Sequence, residues 1–262
     1  MTNFAVIGDP IKHSLSPNIH NHNFELNGDD YTYEALHITT EQLSNIRQTI
    51  EDKNLLGLNV TIPHKQTIMT YLDEISPEAT SIGAVNTVHV NDGRLIGYNT
   101  DVSGYKKMLI EHFDIAEDMI VLILGGGGAA KAVHYVHHQL GGTVTVAVRN
   151  VEKMNGFSKL PYEVIHFDNV DLSQYDCIIN ATPIGLNGED VIETLGIEPN
   201  FKNDAIGIDL IYHTKTPFLS YFNGNSIGGL NMLVHQAMDA YAIWTGKVGQ
   251  TKAVREMLKT II

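Results

Sequence analysis

The sequence of 262 residues contains a single cysteine, and its 17 basic residues are outnumbered by 30 acidic ones. The lone Cys177 cannot form an internal disulfide, so a reducing cytoplasm is the expected compartment. The formal net charge of −13 argues against a protein that binds nucleic acid or anionic membranes, because both partners require a basic surface. The longest apolar run, Met119 to Leu124, is too short to span a membrane, and residues 1–8 lack the basic segment of a signal peptide.

The rest of the composition is that of a globular protein, with 43% hydrophobic and 18% charged residues. These values exclude low-complexity disorder, collagen and coiled coil. The length suits one large domain or two modest domains, each with a hydrophobic core.

Segments with the patterns of strands and helices alternate along nearly the whole chain. Such alternation is typical of the α/β class, in which crossover helices connect parallel strands. The run Asn91-Asp92-Gly93 between two strand-like segments predicts a hairpin. The predicted strands are 4–8, 31–38, 55–62, 85–90, 94–98, 119–124, 143–148, 177–181 and 205–210. The predicted helices are 17–27, 41–53, 64–72, 101–112, a segment from the glycine-rich turn to about 140, and 230–244.

A glycine-rich turn follows the predicted strand 119–124 and opens a predicted helix. It fits the dinucleotide-binding pattern G-x-G-x-x-A: Gly125 permits a tight turn, Gly127 lets the backbone approach a pyrophosphate, and Ala130 allows close packing of helix on sheet. Backbone N–H groups at the start of the helix would face the anion. A turn without a ligand is the alternative, but the strand–turn–helix context favours a nucleotide. The run is Gly125, Gly126, Gly127, Gly128, Ala129, Ala130.

The next predicted strand ends at Val148, where an NAD-binding protein would have an acidic residue for the ribose hydroxyls. The sequence instead has Arg149 and Asn150, with Lys153 nearby. Cations here suit a 2′-phosphate, so the segment predicts NADP rather than NAD. A solvated basic surface is the alternative.

Two polar residues, Asn59 and Thr61, alternate with apolar ones in the predicted strand 55–62 and should point to one face. Lys65 follows Pro63 and falls in the first turn of the predicted helix 64–72. A lysine there opposes the helix dipole at a cost of about 0.3–1 kcal/mol, which favours its use as an acid or base. A solvated surface lysine is the alternative.

Other candidate residues have equally simple structural explanations. Asp101 precedes a predicted helix and fits the role of an N-cap. Ser14 and Ser16 fit the same role, with Pro17 at the first helical position. Asn86 is equally well explained as a satisfied amide in a strand.

Several motifs nevertheless occur together in a fixed order. From residue 4 to about residue 244 they resemble those of the quinate/shikimate dehydrogenase family. They are Ser14-Leu15-Ser16-Pro17, Asn59-Val60-Thr61-Ile62-Pro63-His64-Lys65, Gly83-Ala84-Val85-Asn86-Thr87, Gly97-Tyr98-Asn99-Thr100-Asp101, the glycine-rich turn, and Gly229-Leu230-Asn231-Met232-Leu233-Val234-His235-Gln236-Ala237.

The resemblance implies two α/β domains. The first, residues 1–101 with 235–262, is an N-terminal substrate and catalytic domain that regains the C-terminal helix. The second, residues 102–234, is a Rossmann-type domain that binds NADP. The implied reaction is the NADP-dependent reduction of 3-dehydroshikimate to shikimate, on the chorismate route to aromatic amino acids.

The resemblance also implies roles for individual residues. Lys65 and Asp101 are catalytic. The substrate contacts are Ser14, Ser16 and Tyr212 for the carboxylate, Asn59, Thr61 and Asn86 for ring hydroxyls or the carboxylate, and Gln236. The cofactor contacts are Gly125, Gly126, Gly127, Gly128, Ala129, Arg149, Asn150, Lys153, Thr182, Leu210 and Gly229, the last beside the nicotinamide.

The sequence departs from the family pattern at three places. Val148 and Asn150 flank Arg149 where the family usually has asparagine and threonine. Pro183 replaces a common serine and removes a backbone donor, so cofactor contacts should differ there. Val102 replaces the common glycine after the catalytic aspartate, with little expected effect on the chemistry.

Two alternatives remain open. One is a broader quinate/shikimate dehydrogenase that also uses NAD. The other is a non-catalytic dinucleotide sensor, against which the presence of both Lys65 and Asp101 argues. We expect no metal, because His134, His137 and His138 have no acid or thiol partner in the pattern and should lie on a helix surface. The sequence is compatible with a monomer or a homodimer.

Overall fold

The computed structural model describes residues 2–114 and 118–262, which divide into two compact units. The first unit holds the chain up to Gly104 together with Val234–Ile261, and the second holds Tyr105–Leu233. Each unit is built around a sheet of its own.

The strands of the first unit are β1 (Thr2–Gly8), β2 (Tyr31–His37), β3 (Leu55–Val60), β4 (Glu74–Ile75), β5 (Thr87–Asn91) and β6 (Arg94–Tyr98). Within the described residues they form a sheet in the order β2-β1-β3-β5-β6-β4. β1 runs parallel to β2 and β3, but β5 is antiparallel to β3 and β6. The first sheet is therefore mixed. Its antiparallel pair β5–β6 is the predicted hairpin, whose Asp92 and Gly93 have φ of 49° and 75°, as a type I′ turn requires.

The helices that begin in the first unit's N-terminal part are α1 (Ser16–Asn27), α2 (Ile46–Asp52), α3 (Pro77–Ile82) and α4 (Thr100–His112). Gly28 ends α1 as predicted, with a left-handed φ of 68°. The predicted helix 41–53 is shorter than expected, because its first part is the 3₁₀ turn Gln42–Asn45. Strand β4 and helix α3 were not predicted.

The predicted helix 64–72 is wrong. The segment contains only a 3₁₀ turn, Thr67–Tyr71. The carbonyl of Lys65 accepts from the N–H of Val85 at 2.8 Å, so it is not available to Met69, whose N–H bonds to Gln66 instead. Lys65 therefore does not lie in the first turn of an α-helix, and the argument from the helix dipole does not apply to it.

The sheet of the first unit has an apolar layer on each face. Ala5 and Ile7 pack with α2 on one face, and Phe4 and Val6 pack with the aromatic side chains of Phe24, Tyr33, Tyr241 and Trp244 on the other. This alternation explains why β1 is apolar without interruption.

The C-terminal helices are α7 (Leu230–Thr245) and α8 (Thr251–Leu258). Trp244 of α7 stacks on Phe4 with ring centroids 4.8 Å apart, and its Nε1 donates to the carbonyl of Val88 at 3.0 Å. Gly57 leaves room for the indole, since a Cβ there would lie 2.4 Å from Nε1. The end of α7 thus packs on the first sheet. Among helices in the described part of the chain, none is long and apolar enough to cross a membrane.

The strands of the second unit are β7 (Ile120–Leu124), β8 (Thr143–Val148), β9 (Glu163–His166), β10 (Cys177–Asn180), β11 (Ile206–Asp209) and β12 (Ser226–Gly228). They pair in parallel in the order β12-β11-β10-β7-β8-β9, as alternation of strands and helices predicts. The helices within this unit are α5 (Gly128–Gln139) and the short α6 (Val191–Leu195). The short elements β9, α6 and β12 were not predicted.

Two histidines of α5 are buried, contrary to the expectation that they lie on the surface. Each of His134 and His137 is only 1% exposed. His137 Nε2 lies 2.8 Å from the hydroxyl of Tyr105, and His134 Nε2 lies 3.0 Å from the carbonyl of Pro161. Burial lowers the pKa of His137 to about 4, so it is a neutral core residue.

Candidate active site

Lys65 and Asp101 form a partly buried ion pair in the first unit. Nζ of Lys65 lies 2.6 Å from Oδ2 of Asp101, and the side chains are 14% and 8% exposed. Two contacts hold the backbone near the lysine. The N–H of Val85 donates to the carbonyl of Lys65, and Nε2 of the preceding His64 lies 2.5 Å from the carbonyl of Ile38. The alternative of a solvated surface lysine is therefore excluded.

Asp101 lies inside the first turn of α4, which begins one residue earlier. The cap comes from Asn99, whose Oδ1 accepts from the N–H of Asp101 at 3.1 Å. Asp101 is therefore not an N-cap, and its carboxylate is available to Lys65 and to Asn86.

Asn86 connects this ion pair to other polar groups. Its Nδ2 donates to Oδ1 of Asp101 at 2.9 Å and to Oγ1 of Thr100 at 3.0 Å. Its Oδ1 accepts from the N–H of Thr100 at 2.7 Å, which fixes the orientation of the amide because a backbone N–H can only donate. Oε1 of Gln236 lies at a longer distance, 3.4 Å from Nδ2. Asn86 is thus a satisfied amide, as the simple explanation proposed, and at the same time a neighbour of the ion pair.

Asn59 belongs to the same buried network. Its Oδ1 accepts from the hydroxyl of Tyr33 at 2.6 Å, and its Nδ2 donates to the carbonyl of Asn86 at 3.2 Å and to Oγ1 of Thr87 at 3.0 Å. Thr87 in turn donates to Oδ1 of Asn86 at 3.0 Å. A continuous chain of hydrogen bonds therefore runs from Tyr33 to Asp101 and Lys65.

Thr61 lies just beyond the end of β3, half-buried, with its methyl group packed where a Cβ of Gly8 would be. The strand predicted for residues 55–62 ends at Val60, and Ile62, which was expected on its apolar face, is 67% exposed.

Neither Ser14 nor Ser16 caps α1 with its side chain. Oγ of Ser14 accepts from the N–H of Ser16 at 3.3 Å. Burial raises the pKa of Tyr33, and the nearby Ser16 side chain partly offsets that rise. Both serines therefore lie at the start of α1, and Ser16 lies close to Tyr33 of the network.

The glycine-rich turn in the second unit has three glycines with different surroundings. Gly125 has φ of 99°, and a Cβ there would lie 3.0 Å from the methyl group of Thr182. At Gly126 a Cβ would meet the sulfur of Met154 at 2.6 Å. At Gly127, the N-cap residue of α5, a Cβ would meet no atom within 4 Å. The open space is thus at the position where a pyrophosphate is expected to approach, so the turn fits a dinucleotide.

The basic segment after β8 is exposed. Arg149, Asn150 and Lys153 all have exposed side chains. Oδ1 of Asn150 accepts from the N–H of Lys153 at 3.3 Å and so begins the 3₁₀ turn Val151–Met154. The segment therefore presents two cations directly after a sheet strand of the second unit.

At the carboxyl end of β10, Asn180 organises the loop that contains Pro183. Its Oδ1 accepts from the hydroxyl of Thr182 at 2.7 Å, and its Nδ2 donates to the carbonyl of Ile184 at 3.0 Å and to Asp209 at 3.1 Å. Pro183 itself has no N–H to donate, and the next N–H, that of Ile184, donates to Oγ1 of Thr182 at 3.1 Å.

Leu210 and Tyr212 follow the carboxyl end of β11, and Gly229 packs against the backbone of Leu210. A Cβ at Gly229 would lie 2.3 Å from the carbonyl oxygen of Leu210, so only glycine fits there. Tyr212 is half-buried, and burial raises the pKa of its hydroxyl. Burial also raises the pKa of Asp209, which bonds to the N–H of Ile211 and the hydroxyl of Thr216.

Sequence reasoning missed several residues of these networks. Tyr33, Thr87, Thr100 and Asp209 were not singled out, since a tyrosine, a threonine or an aspartate in a strand or at its end carries no pattern of its own. A usable signal was the adjacency of Thr87 to Asn86 and of Thr100 to Asp101. Within the residues that the structure describes, no group of three histidine, cysteine or acidic residues is placed to hold a metal ion.

Comparison with known proteins decides the family. Residues 6–88 match the substrate-binding domain of shikimate dehydrogenase, and residues 229–259 match the C-terminal domain of shikimate 5′-dehydrogenase. The NADP(+) shikimate dehydrogenase of Staphylococcus epidermidis is 41% identical over 97% of this chain and 96% of its own. The chain belongs to the shikimate dehydrogenase family.

Solved structures of this family have the same fold as the chain. The shikimate 5-dehydrogenase of Thermus thermophilus, in complex with NADP(H) and shikimate, is 30% identical with a TM-score of 0.87 and covers 100% of both chains. The enzyme of Listeria monocytogenes, in complex with shikimate and NAD, is 31% identical with a TM-score of 0.85 over 98% of this chain and 96% of its own. The chain thus has the fold of the shikimate dehydrogenases over its whole length.

Proposed function

We propose that this protein is an NADP-dependent shikimate dehydrogenase that interconverts 3-dehydroshikimate and shikimate in the biosynthesis of aromatic amino acids. The observation that carries the proposal is the partly buried pair of Lys65 and Asp101, joined to Asn86 in a chain of this family. A dinucleotide sensor without catalysis would not need a desolvated ion pair of this kind.

Lys65 and Asp101 are proposed as the catalytic residues. When bound, NADPH supplies the hydride that reduces the C3 carbonyl. Lys65 is the cationic donor that stabilises the developing alkoxide and delivers a proton to its oxygen. Asp101 holds the lysine ammonium and a substrate hydroxyl in place.

The remaining substrate contacts are proposed from their positions. Ser14 and Ser16 place two hydroxyl donors at the start of α1, which suits a carboxylate. Tyr212 is proposed to bind the carboxylate. Four residues of the first unit are proposed to bind ring groups: Asn59, Asn86 and Gln236 of the hydrogen-bonded network, and Thr61.

The second unit is proposed to bind NADP, and the first unit is proposed to provide the substrate contacts other than Tyr212. The open space at Gly127 supports binding of the pyrophosphate, and exposed Arg149 supports binding of the 2′-phosphate. The further proposed cofactor contacts are Gly125, Gly126, Gly128, Ala129, Asn150, Lys153, Thr182, Leu210 and Gly229. We also propose a cytoplasmic location, because the lone Cys177 is buried and free.

The experiment is a spectrophotometric assay of NADP reduction with shikimate, run in parallel with quinate and with NAD. We expect turnover with shikimate and NADP, and much less with quinate or NAD. Tight binding of NADP without turnover of shikimate would instead support the sensor.

A broader specificity for the cofactor is the second candidate. It is favoured by the Listeria relative, whose structure contains shikimate and NAD. Equal catalytic efficiency with NAD and NADP in the same assay would establish it and remove the role proposed for Arg149.

A further inference from the structure

Lys131 is a buried cation of the second unit, directly after the glycine-rich turn. It lies in α5, one turn after the N-cap residue Gly127, and it is only 6% exposed. Its Nζ lies over the ring of Phe157, 5.5 Å from the centroid. Among the residues that the structure describes, no carboxylate forms an ion pair with this lysine and no group accepts a hydrogen bond from it. The ammonium group is therefore desolvated without an anionic partner.

A buried ammonium without a counter-ion is costly for a folded protein. Desolvation disfavours its charged form, and burial accordingly lowers the pKa of Lys131. The face of an aromatic ring compensates a positive charge less well than a carboxylate or a phosphate does. An apolar side chain of similar length would fill the same space without this cost. The charge is therefore best explained by an anion that binds beside it.

The geometry of a helix directs the side chain of Lys131 toward the amino end of α5. The Cα–Cβ bonds of a helix tilt toward its N-terminus, so this side chain extends over the preceding turn, which begins at Gly127. That end of the helix has free backbone N–H groups and attracts anions. Lys131 thus adds a full charge where the helix supplies a partial one.

The aromatic ring beneath Lys131 belongs to the segment that follows β8. The N–H of Phe157 donates to the carbonyl of Met154 at 2.9 Å. The Met154 sulfur in turn packs on the glycine-rich turn, where it would lie 2.6 Å from a Cβ of Gly126. The segment after β8 therefore returns to the amino end of α5, and Lys131 faces it from the helix.

We infer that Lys131 is a further cation for the 2′-phosphate of NADP, in addition to exposed Arg149 and Lys153, and that it contributes to the choice of NADP over NAD. In a Rossmann-type unit the adenosine ribose lies between the glycine-rich turn and the end of the next strand, which is β8 here. Lys131 reaches this place from the helix, and Arg149 reaches it from the strand. Because Lys131 is already desolvated, it loses little hydration when a phosphate binds. The inference rests on the proposed binding of NADP and deepens it.

The test measures the binding of two nucleotides and does not depend on turnover. Adenosine 2′,5′-bisphosphate has the 2′-phosphate but no pyrophosphate, whereas adenosine 5′-diphosphate has the pyrophosphate but no 2′-phosphate. Lys131→Met removes the charge and keeps an unbranched side chain over Phe157. Lys202→Met is the matched control, because Lys202 pairs with Asp176 at 2.6 Å next to the amino end of β10. Isothermal titration calorimetry gives the Kd of each nucleotide for each protein.

For Lys131→Met we expect the Kd of adenosine 2′,5′-bisphosphate to rise about 10- to 100-fold, the scale of one lost contact between charged groups. The Kd of adenosine 5′-diphosphate should change little. Lys131→Arg keeps the charge and should retain most of the affinity for the bisphosphate. Without nucleotide, Lys131→Met should have a Tm no lower than that of the wild type, because it no longer buries an unpaired charge. Lys202→Met should leave both Kd values unchanged.

Equal losses of affinity for the two nucleotides would overturn the inference, since the charge would then serve the pyrophosphate or the fold. An unchanged Kd of the bisphosphate would also overturn it and leave Lys131 as a packing partner of Phe157. If Lys131→Met does not fold, Lys131→Gln replaces it and must show the same selective loss. Oxidation of shikimate by the wild type is measured separately, so the proposed catalysis and this inference can fail independently.

Discussion

Lys65 contacts only one carboxylate oxygen of Asp101, at 2.6 Å, and the other oxygen accepts from the Asn86 amide at 2.9 Å. The carboxylate is thus bonded to a charged donor on one side and to a neutral donor on the other. Among the residues that the structure describes, Asp101 is the only acidic side chain that forms an ion pair with Lys65. A developing alkoxide close to Lys65 would therefore compete with one carboxylate oxygen alone.

Lys65→Ala should lower kcat by at least ~100-fold, the usual contribution of a general acid or base. The KM for shikimate should change little, because other groups bind the ring and the carboxylate. Steady-state kinetics with shikimate and NADP measure both constants. Lys53→Ala is the control, since Lys53 forms an exposed pair with Glu34 in the same unit. A near-normal kcat for Lys65→Ala would remove the lysine from the chemistry.

Arg149→Ala should weaken NADP far more than NAD, because only NADP has the phosphate that the guanidinium would bind. Loss of one charged hydrogen-bond partner corresponds to an increase of about 10- to 100-fold in the KM for NADP. Exposed Lys159, in the same unit, provides the control as Lys159→Ala. Equal losses for both cofactors would refute the assignment.

Two neighbouring glycines should respond differently to the same substitution. Gly127→Ala adds a methyl group in open space, so Tm should be retained while the KM for NADP rises as the pyrophosphate is kept away. Gly126→Ala adds it 2.6 Å from the Met154 sulfur, so Tm should fall. Thermal unfolding without cofactor, followed by titration with NADP, separates the two effects. Normal NADP affinity in Gly127→Ala would show that no phosphate approaches this residue.

Acid should destabilise the protein through its buried histidines. Burial lowers the pKa of His137 from 6.5 to about 4 and that of His20 to about 3. Above pH 6.5 both histidines are neutral in the folded and in the unfolded chain, so their protonation does not lower the free energy of unfolding there. As the pH falls from 6.5 toward 4, the unfolded chain takes up protons that the folded chain does not, which costs about 1.4 kcal/mol per pH unit for each histidine.

Urea unfolding at several pH values between 7 and 4 measures this loss. His137→Gln, which keeps a polar partner for Tyr105, should reduce the dependence on pH in this range. His213→Gln, at an exposed position, is the control and should leave it unchanged. The same dependence in wild type and His137→Gln would contradict the attribution to His137.

The sequence was sufficient to predict most elements whose patterns are local. The hairpin at Asn91–Arg94, the end of α1 at Gly28 and the glycine-rich turn all depend on a few adjacent residues with special backbone conformations. The prediction failed at residues 64–72 because the carbonyl of Lys65 bonds to Val85, a partner from another element. Periodicity along the chain does not reveal such a bond.

The candidate site was predicted residue by residue only where a motif marked the position. The geometry explains why Asp101 is not an N-cap: Asn99 already provides that bond, a choice between two adjacent polar residues that spacing alone does not make. The role of Tyr33 could not be predicted because its hydroxyl bonds to Asn59 between β2 and β3, which are separated by β1 in the sheet. His134 and His137 were misplaced because the second face of α5 is buried as well.

The buried indole of Trp244 provides an intrinsic fluorescent probe of folding. The sequence has one tryptophan, and its ring is 7% exposed, stacked on Phe4 and bonded to Val88. Its fluorescence therefore reports on the first unit alone. A red shift of the emission during denaturation marks the release of the C-terminal helix from the first sheet, whatever the state of the second unit.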